Sequence, residues 1–240
     1  MCLDSHLHTL MYFFLSILSL LDVGYVTTTM PQALILNSKL ISFEGCWLQM
    51  YVFSALGITA CILFVVMAYY HYVAICFPLH YMLILNWGLC VRLEVGTWAS
   101  GFFFSLVHMF FTMNLSSCGP NMVNHYFCEG PSVWSLACMD THLIEIVDLV
   151  ISIFMVLGSL SLILASYVCI TLAIFKNKST QSRYKAFSTC AFHLTVVTLF
   201  FSPATYIYMR PNSSYTQRKQ ISLFYNVFTA LLNPVVYIQP

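Results

Sequence analysis

Few side chains in this chain could do chemistry. Ser188 and His193 lie five apart in KAFSTCAFHL, but no carboxylate accompanies them, so nothing would orient the imidazole as a base. No catalytic residue is expected. His108, a lone polar residue among the aromatics of SGFFFSLVHMFF, reads as a packed or capped side chain. Asp22 is an isolated carboxylate in an apolar run, and such a group is a functional candidate by default. The ten cysteines include two distinct populations. Cys61, Cys76, Cys169 and Cys190 lie in or beside apolar runs, where a thiol is a small core residue. Cys118, Cys128 and Cys138 recur every ten residues in a long polar stretch, and Cys46 falls on the same side of the predicted topology. Facing an oxidising compartment, these four read as two disulfides, with three pairings open. There is no CxxC pair, and only His125 and His142 are nearby, so no metal is expected at these cysteines.

The elements that must position these residues are membrane helices. Only 7% of the residues are charged and 60% are apolar, against about 25% charged in soluble domains. A helix crosses the hydrocarbon layer with about 20 apolar residues. Six spans can be drawn, at about 10–36, 46–76, 95–115, 143–175, 186–209 and 221–238. They form one all-α, polytopic helical bundle, a single domain over residues 1–240. Several exceed the bilayer thickness, which implies tilt or extension into solvent. Pro31, Pro203 and Pro234 fall inside spans and read as kinks.

Charge excludes some functions and sets orientation weakly. A net charge of +1 leaves no electrostatic footprint for nucleic acid. With a cytosolic start, Arg92, Lys176, Lys178, Arg183 and Lys185 lie inside, and Lys39, Arg210, Arg218 and Lys219 outside. That bias is slight, and the cluster from Lys176 to Lys185 is its best marker. Sequons at Asn114 and Asn212 then face outward, while Asn177 faces the cytosol. No signal peptide is expected before the first span. A transporter would need paired intramembrane charges or repeated halves, and neither is evident.

The motifs resemble one family in order and spacing. MAYYHYVAIC, at Met67 to Cys76, is similar to the Met-Ala-Tyr-Asp-Arg-Tyr-Val-Ala-Ile-Cys of odorant receptors, with Tyr70 and His71 in place of Asp and Arg. LHTLMYFFLSILSLLD looks like the family's second helix and ISFEGCWLQM like the entry to its third. SSCGPNMVNHYFCEGPSVWSLACMD resembles its long second extracellular loop. The Ser166-Tyr167 pair, KAFSTCAFHL and LLNPVVY resemble parts of the fifth, sixth and seventh helices. The chain thus resembles helices two to seven of a rhodopsin-like, G-protein-coupled odorant receptor. In that register the first helix is missing, and Pro240 lies three residues after Tyr237.

The resemblance implies that a small volatile ligand enters a cavity between the helices and that a heterotrimeric G protein, of the olfactory stimulatory type, docks on the inner face. The implied lining is Phe53, Ser54, Gly57 and Ile58 with Ser152, Met155, Ala204, Thr205, Tyr208 and Asn226. It carries no charge, which suits a neutral odorant with one hydrogen-bonding oxygen. The implied switch comprises Tyr70, His71, Tyr72, Tyr167 and Tyr237, and the implied disulfides are Cys46–Cys128 and Cys118–Cys138. Asp22 and Asn233 match a polar core, with Ala60 where the family has a Glu. No cofactor or metal is implied with this set.

Two expectations concern activity. An imidazole at cytosolic pH is mostly neutral and lacks the fork of donors of a guanidinium, so His71 should weaken G-protein coupling. The plainer alternative is that Tyr70 and His71 face the interface as polar surface. The protein is expected in lipid at the plasma membrane, with retention in the endoplasmic reticulum the other outcome. A nonfunctional or regulatory six-span receptor fragment is the alternative to a working receptor.

Overall fold

A computed structural model describes residues 13–24, 27, 41–78, 80–113, 122–123, 142–176 and 180–208. In chain order these form α1 (Phe13–Gly24), β1 (Ile41–Ser42), α2 (Phe43–Cys76), α3 (Tyr81–Ile84), α4 (Trp87–Met113), β2 (Met122–Val123), α5 (His142–Lys176) and α6 (Thr180–Tyr208). The architecture is an all-α bundle with one small β pair.

Length follows from the solvent. Backbone groups in hydrocarbon have no water to bond, so each crossing segment closes its hydrogen bonds within a helix. Three helices, over Glu44–Cys76, Trp87–Met113 and Ile144–Lys176, are long and apolar enough to cross. At 1.5 Å per residue α2 is about 50 Å long, well beyond a hydrocarbon core of about 30 Å. Phe13–Gly24 and Ala186–Ser202 are shorter apolar helices. The expected span 221–238 lies outside the described residues.

α2 is the centre. It packs against α4, α5 and α6, and its Leu56, Leu63, Phe64 and Val73 share a buried core with Phe14, Leu18 and Leu21 of α1. Ile163, Tyr167 and Ile170 of α5 and Val197, Phe200 and Phe201 of α6 complete that core. The rest of α5 is apolar outward, with Phe154 and Phe175 among its exposed residues, as expected of a surface that meets lipid.

α2 and α4 approach closely through small residues. A Cβ placed on Gly101 would collide with the Thr59 hydroxyl and lie 2.9 Å from the Ala55 carbonyl oxygen. Thr59 cannot simply swing away, because its fully buried hydroxyl donates to that same carbonyl at 2.8 Å. One turn further along α4, Ser105 Oγ donates across the interface to the Tyr51 carbonyl at 2.8 Å. Contacts of this kind hold membrane helices together where the hydrophobic effect cannot.

The start of α4 departs from the expected span, which opened at Val95. The helix begins at Trp87, eight residues earlier, because Asn86 Oδ1 accepts the Leu89 amide at 2.7 Å and caps it. Arg92 and Glu94 therefore belong to the helix. Glu94 is buried, and its Oε1 accepts the Trp98 indole N–H at 2.6 Å one turn on.

Many hydroxyls are bonded to their own helix. Thr97 donates to the Leu93 carbonyl, Thr112 to that of His108, Ser166 to that of Leu162, Thr171 to that of Tyr167, Thr195 to that of Ala191 and Thr198 to that of Leu194. α6 continues through Pro203 to Tyr208.

Gly101→Ala should destabilise the purified protein by about 1–3 kcal/mol, the usual cost of overpacking, and lower its thermal midpoint. Gly158→Ala is the control, since a Cβ there meets nothing within 4 Å, and it should leave the midpoint unchanged or raise it. Equal midpoints for the two variants in nanodiscs would contradict the close approach.

Candidate functional site

Three of the expected switch residues, Tyr70, His71 and Tyr167, sit inside the bundle. Tyr70 and His71 are only 4% and 6% exposed, which rules out the reading of both as polar surface. Near the end of α2 the two side chains take opposite roles. Tyr70 fills apolar space, its ring centre 5.8 Å from that of Phe14 on α1. His71 turns toward α6, where its ring lies 5.2 Å from the buried ring of His193.

Hydrogen bonds orient this pair. The Met67 carbonyl, one turn back on α2, can only accept, so His71 Nδ1 carries the proton and donates to it at 2.7 Å. His193 Nδ1 lies 2.8 Å from the Tyr167 hydroxyl of α5, which stacks on the same imidazole at 5.9 Å. Phe64 meets His193 edge-on at 6.0 Å. Three helices thus converge on two imidazoles and one phenol. Tyr72 is half-buried and packs edge-on against Phe77, apart from the cluster. Tyr237 lies outside the described residues.

His193 entered the sequence reading only as an unsupported partner for Ser188. The signal that could have placed it was register: His193, Val196 and Phe200 fall at helical spacing on the buried side of α6.

The expected ligand lining is spread over helices that pack on one another. Phe53, Ser54, Gly57 and Ile58 are half-buried along two adjacent stripes of α2, and Ser152 and Met155 are half-buried on α5. On α6, Thr205 is half-buried and donates to the Phe201 carbonyl at 2.7 Å, so toward a ligand its oxygen is an acceptor. Ala204 and Tyr208 lie on the same helix, and Asn226 lies outside the described residues. α2, α5 and α6 contact one another pairwise.

A different concavity is present between α2 and α4. It is an open groove of about 740 Å³ lined by Trp47, Leu48, Tyr51, Leu106, Phe110 and neighbours. None of the expected lining residues borders it. Its walls include the exposed side chains of Leu48, Leu106 and Phe110, so it faces outward rather than into the bundle.

The remaining polar candidates resolve unevenly. Cys46 is buried and disulfide-bonded, while Cys118, Cys128 and Cys138 lie outside the described residues. Met122–Val123, between the first two of those cysteines in sequence, lies beside the start of α2, where Ile41 pairs with Val123 and Ser42 with Met122 in an antiparallel ladder. Cys61, Cys76, Cys90, Cys169 and Cys190 are free thiols. Asp22 is half-buried on α1, and Asn233 lies outside the described residues. Among the described residues no group of three or more His, Cys, Asp or Glu could hold a metal.

His108 is not merely packed or capped. Its Nε2 lies 2.6 Å from Asp148 Oδ1, a contact that joins α4 to α5. Asp148 lies toward the start of α5, where a sequence reading treats a charge as an interfacial residue and leaves it unpaired.

Known sequences supply the remaining comparison. The family described as "Olfactory receptor" matches residues 2–239. Human olfactory receptor 6A2 is 48% identical over 97% of this chain and 74% of its own length. Rat olfactory receptor 226 is 47% identical over 96% of this chain and 73% of its own, and human olfactory receptor 2A12 is 46% identical over 98% and 77%.

A double-mutant cycle on His108→Leu and Asp148→Leu should give a coupling energy of about 0.5–1.7 kcal/mol, the range of interhelical polar contacts in membranes. Unfolding midpoints in a fixed lipid measure it. Strictly additive effects would show that the pair contributes nothing to holding α4 on α5.

Proposed function

Because the chain belongs to the olfactory receptor family of G-protein-coupled membrane proteins, we propose that a small neutral odorant binds between α2, α5 and α6 and favours an arrangement that admits a heterotrimeric G protein. No bond is made or broken, and the protein is a receptor rather than an enzyme. The ligand acts only through the difference in its affinity for the two arrangements.

The observation that carries this reading is the convergence of His71, Tyr167 and His193. In this reading the buried polar cluster shared by three helices is the two-state element, closed in one arrangement and broken in the other. A ligand touching the same three helices from Phe53, Ser54, Gly57, Ile58, Ser152, Met155, Ala204, Thr205 and Tyr208, with Asn226 beyond them, would bias that choice. The uncharged character of this set supports a neutral ligand with one polar atom. Cys46–Cys128 and Cys118–Cys138 are the proposed disulfides over the outer end, Asp22 and Asn233 the proposed polar core, and Tyr72 and Tyr237 the proposed outer members of the switch.

The proposed site of action is the plasma membrane, with a G protein of the stimulatory olfactory type on the face that carries Lys176. His71 lies inward against His193, and a neutral imidazole supplies no fixed charge to the docking surface. Coupling is accordingly weak. Losing a charged contact at such an interface costs about 2–5 kcal/mol, more than tenfold in the coupling constant.

Two measurements test the reading. Tyr70→Asp combined with His71→Arg should raise second-messenger output more than tenfold at matched surface level, and no increase would remove the switch from the proposal. Against a panel of neutral volatile oxygenates, Ser152→Ala and Tyr208→Phe should each shift the half-maximal concentration of a responding ligand by about threefold to tenfold, the value of one hydrogen bond. Unchanged dose responses for both would move the ligand elsewhere in the bundle.

A further inference from the structure

We propose that His71 and His193 make the three-helix cluster a proton-operated latch, closed while both imidazoles are neutral and opened when the inner face turns acid. The inference rests on the reading of this cluster as the receptor's two-state element and adds what operates it. Both rings are buried, and their centres lie 5.2 Å apart. His71 Nδ1 already donates to the Met67 carbonyl, so a second proton can enter that ring only at Nε2. His193 Nδ1 is engaged with the Tyr167 hydroxyl, and its Nε2 is buried with no hydrogen-bond partner. An imidazolium there would hold an N–H that has no acceptor in the closed cluster. A cation on either ring also faces a second imidazole at close range, so protonating both sets like charges side by side.

The surroundings supply no counter-charge. Tyr70 of α2 meets His71 edge-on at 6.2 Å, Phe64 of α2 meets His193 edge-on at 6.0 Å, and Tyr167 of α5 stacks on His193. The titratable groups on these three helices that face the rings are thus two phenols, with the Cys190 thiol of α6 beside Tyr167. Among the described residues the one histidine paired with a carboxylate is His108, so neither ring of the cluster has such a partner. A buried ion without a partner is costly. Breaking the cluster lets a ring reach water, where an imidazole takes up a proton near pH 6.5. The way out is short, because α2 ends at Cys76, five residues or about 7.5 Å of helix beyond His71. The broken arrangement therefore binds more protons than the closed one. Closure is favoured above about pH 6.5 and lost progressively below it. A guanidinium, which the family motif carries in place of His71, keeps its charge throughout this range and could not be operated in this way.

The test is side-chain nitrogen NMR of the histidine-labelled 240-residue chain in nanodiscs from pH 7.5 to 5.0, with unfolding midpoints taken at each pH. Two imidazoles should stay neutral while solvent-exposed ones titrate, then take up protons together as the midpoint falls. Each proton shifts the balance of closed and broken forms by up to about tenfold per pH unit, so two shift it by up to about a hundredfold. Combining His71→Gln with His193→Gln, which keeps polar side chains that cannot titrate, should flatten the fall of the midpoint below pH 6.5. His80→Gln, at an exposed position before α3, should leave that fall intact. Independent protonation of both rings with an unchanged midpoint would overturn the proposal, as would neutral rings and a level midpoint down to pH 5.0. A fall that survives in the double variant would overturn it too. Should the double variant fail to fold, the NMR titration of the unaltered protein decides alone. Odorant dose responses at a fixed pH of about 7.5 test the ligand reading separately. Their absence with the pH step intact removes the ligand and leaves the latch, whereas responses without a pH step remove the latch alone.

Discussion

Hydrocarbon offers no partner to a polar backbone or side chain, and the whole bundle is arranged around that fact. Helices satisfy their backbones internally, which leaves side-chain contact as the means of holding one against another. α2 makes most of those contacts. It presents Ala55 and Thr59 to Gly101 on one side and Phe64 to Phe200 and Phe201 on another, at ring separations of 5.1 and 6.0 Å. A helix packed on several sides cannot shift without its neighbours shifting, so a local change along α2 is felt at each of them.

Some polar side chains among the described residues tie one helix to another. Ser105 reaches the Tyr51 backbone, His108 reaches Asp148, and Tyr167 reaches His193. Each such tie is specific where apolar contact is not, because a slipped register would strand a donor in lipid. Ser105 and His108 lie one turn apart on α4, whereas Tyr167 lies several turns from Asp148 along α5. Rigidity is thereby shared between α2–α4, α4–α5 and α5–α6.

Much of this was legible in the sequence. Scarcity of charge identified the membrane, apolar runs located α2 and α5 to within a few residues, and the motif from Met67 to Cys76 pointed to the family that the matched relatives share. What failed were judgements about where a polar residue faces. The third span was expected to open at about residue 95, yet the helix begins at Trp87 and Glu94 within it is buried with the Trp98 indole on it. Tyr70 and His71 were read as surface on the plainer view, and both are buried. His108 and Asp148 are forty positions apart, and no local pattern joins them. A one-dimensional reading sees that a residue is polar, whereas its partner on another helix is a property of packing.

The hydroxyls bonded to their own helices change how polarity should be counted. Thr195, Thr198 and Thr205 make α6 look less apolar by composition than α5, but each spends its proton on a carbonyl one turn back. Such a hydroxyl adds a second bond to an oxygen already paired in the helix and turns its methyl outward or inward as the register dictates. To a surrounding acyl chain it resembles valine more than serine in water. At these positions the lipid therefore meets a smoother and more hydrocarbon-like wall than residue names suggest.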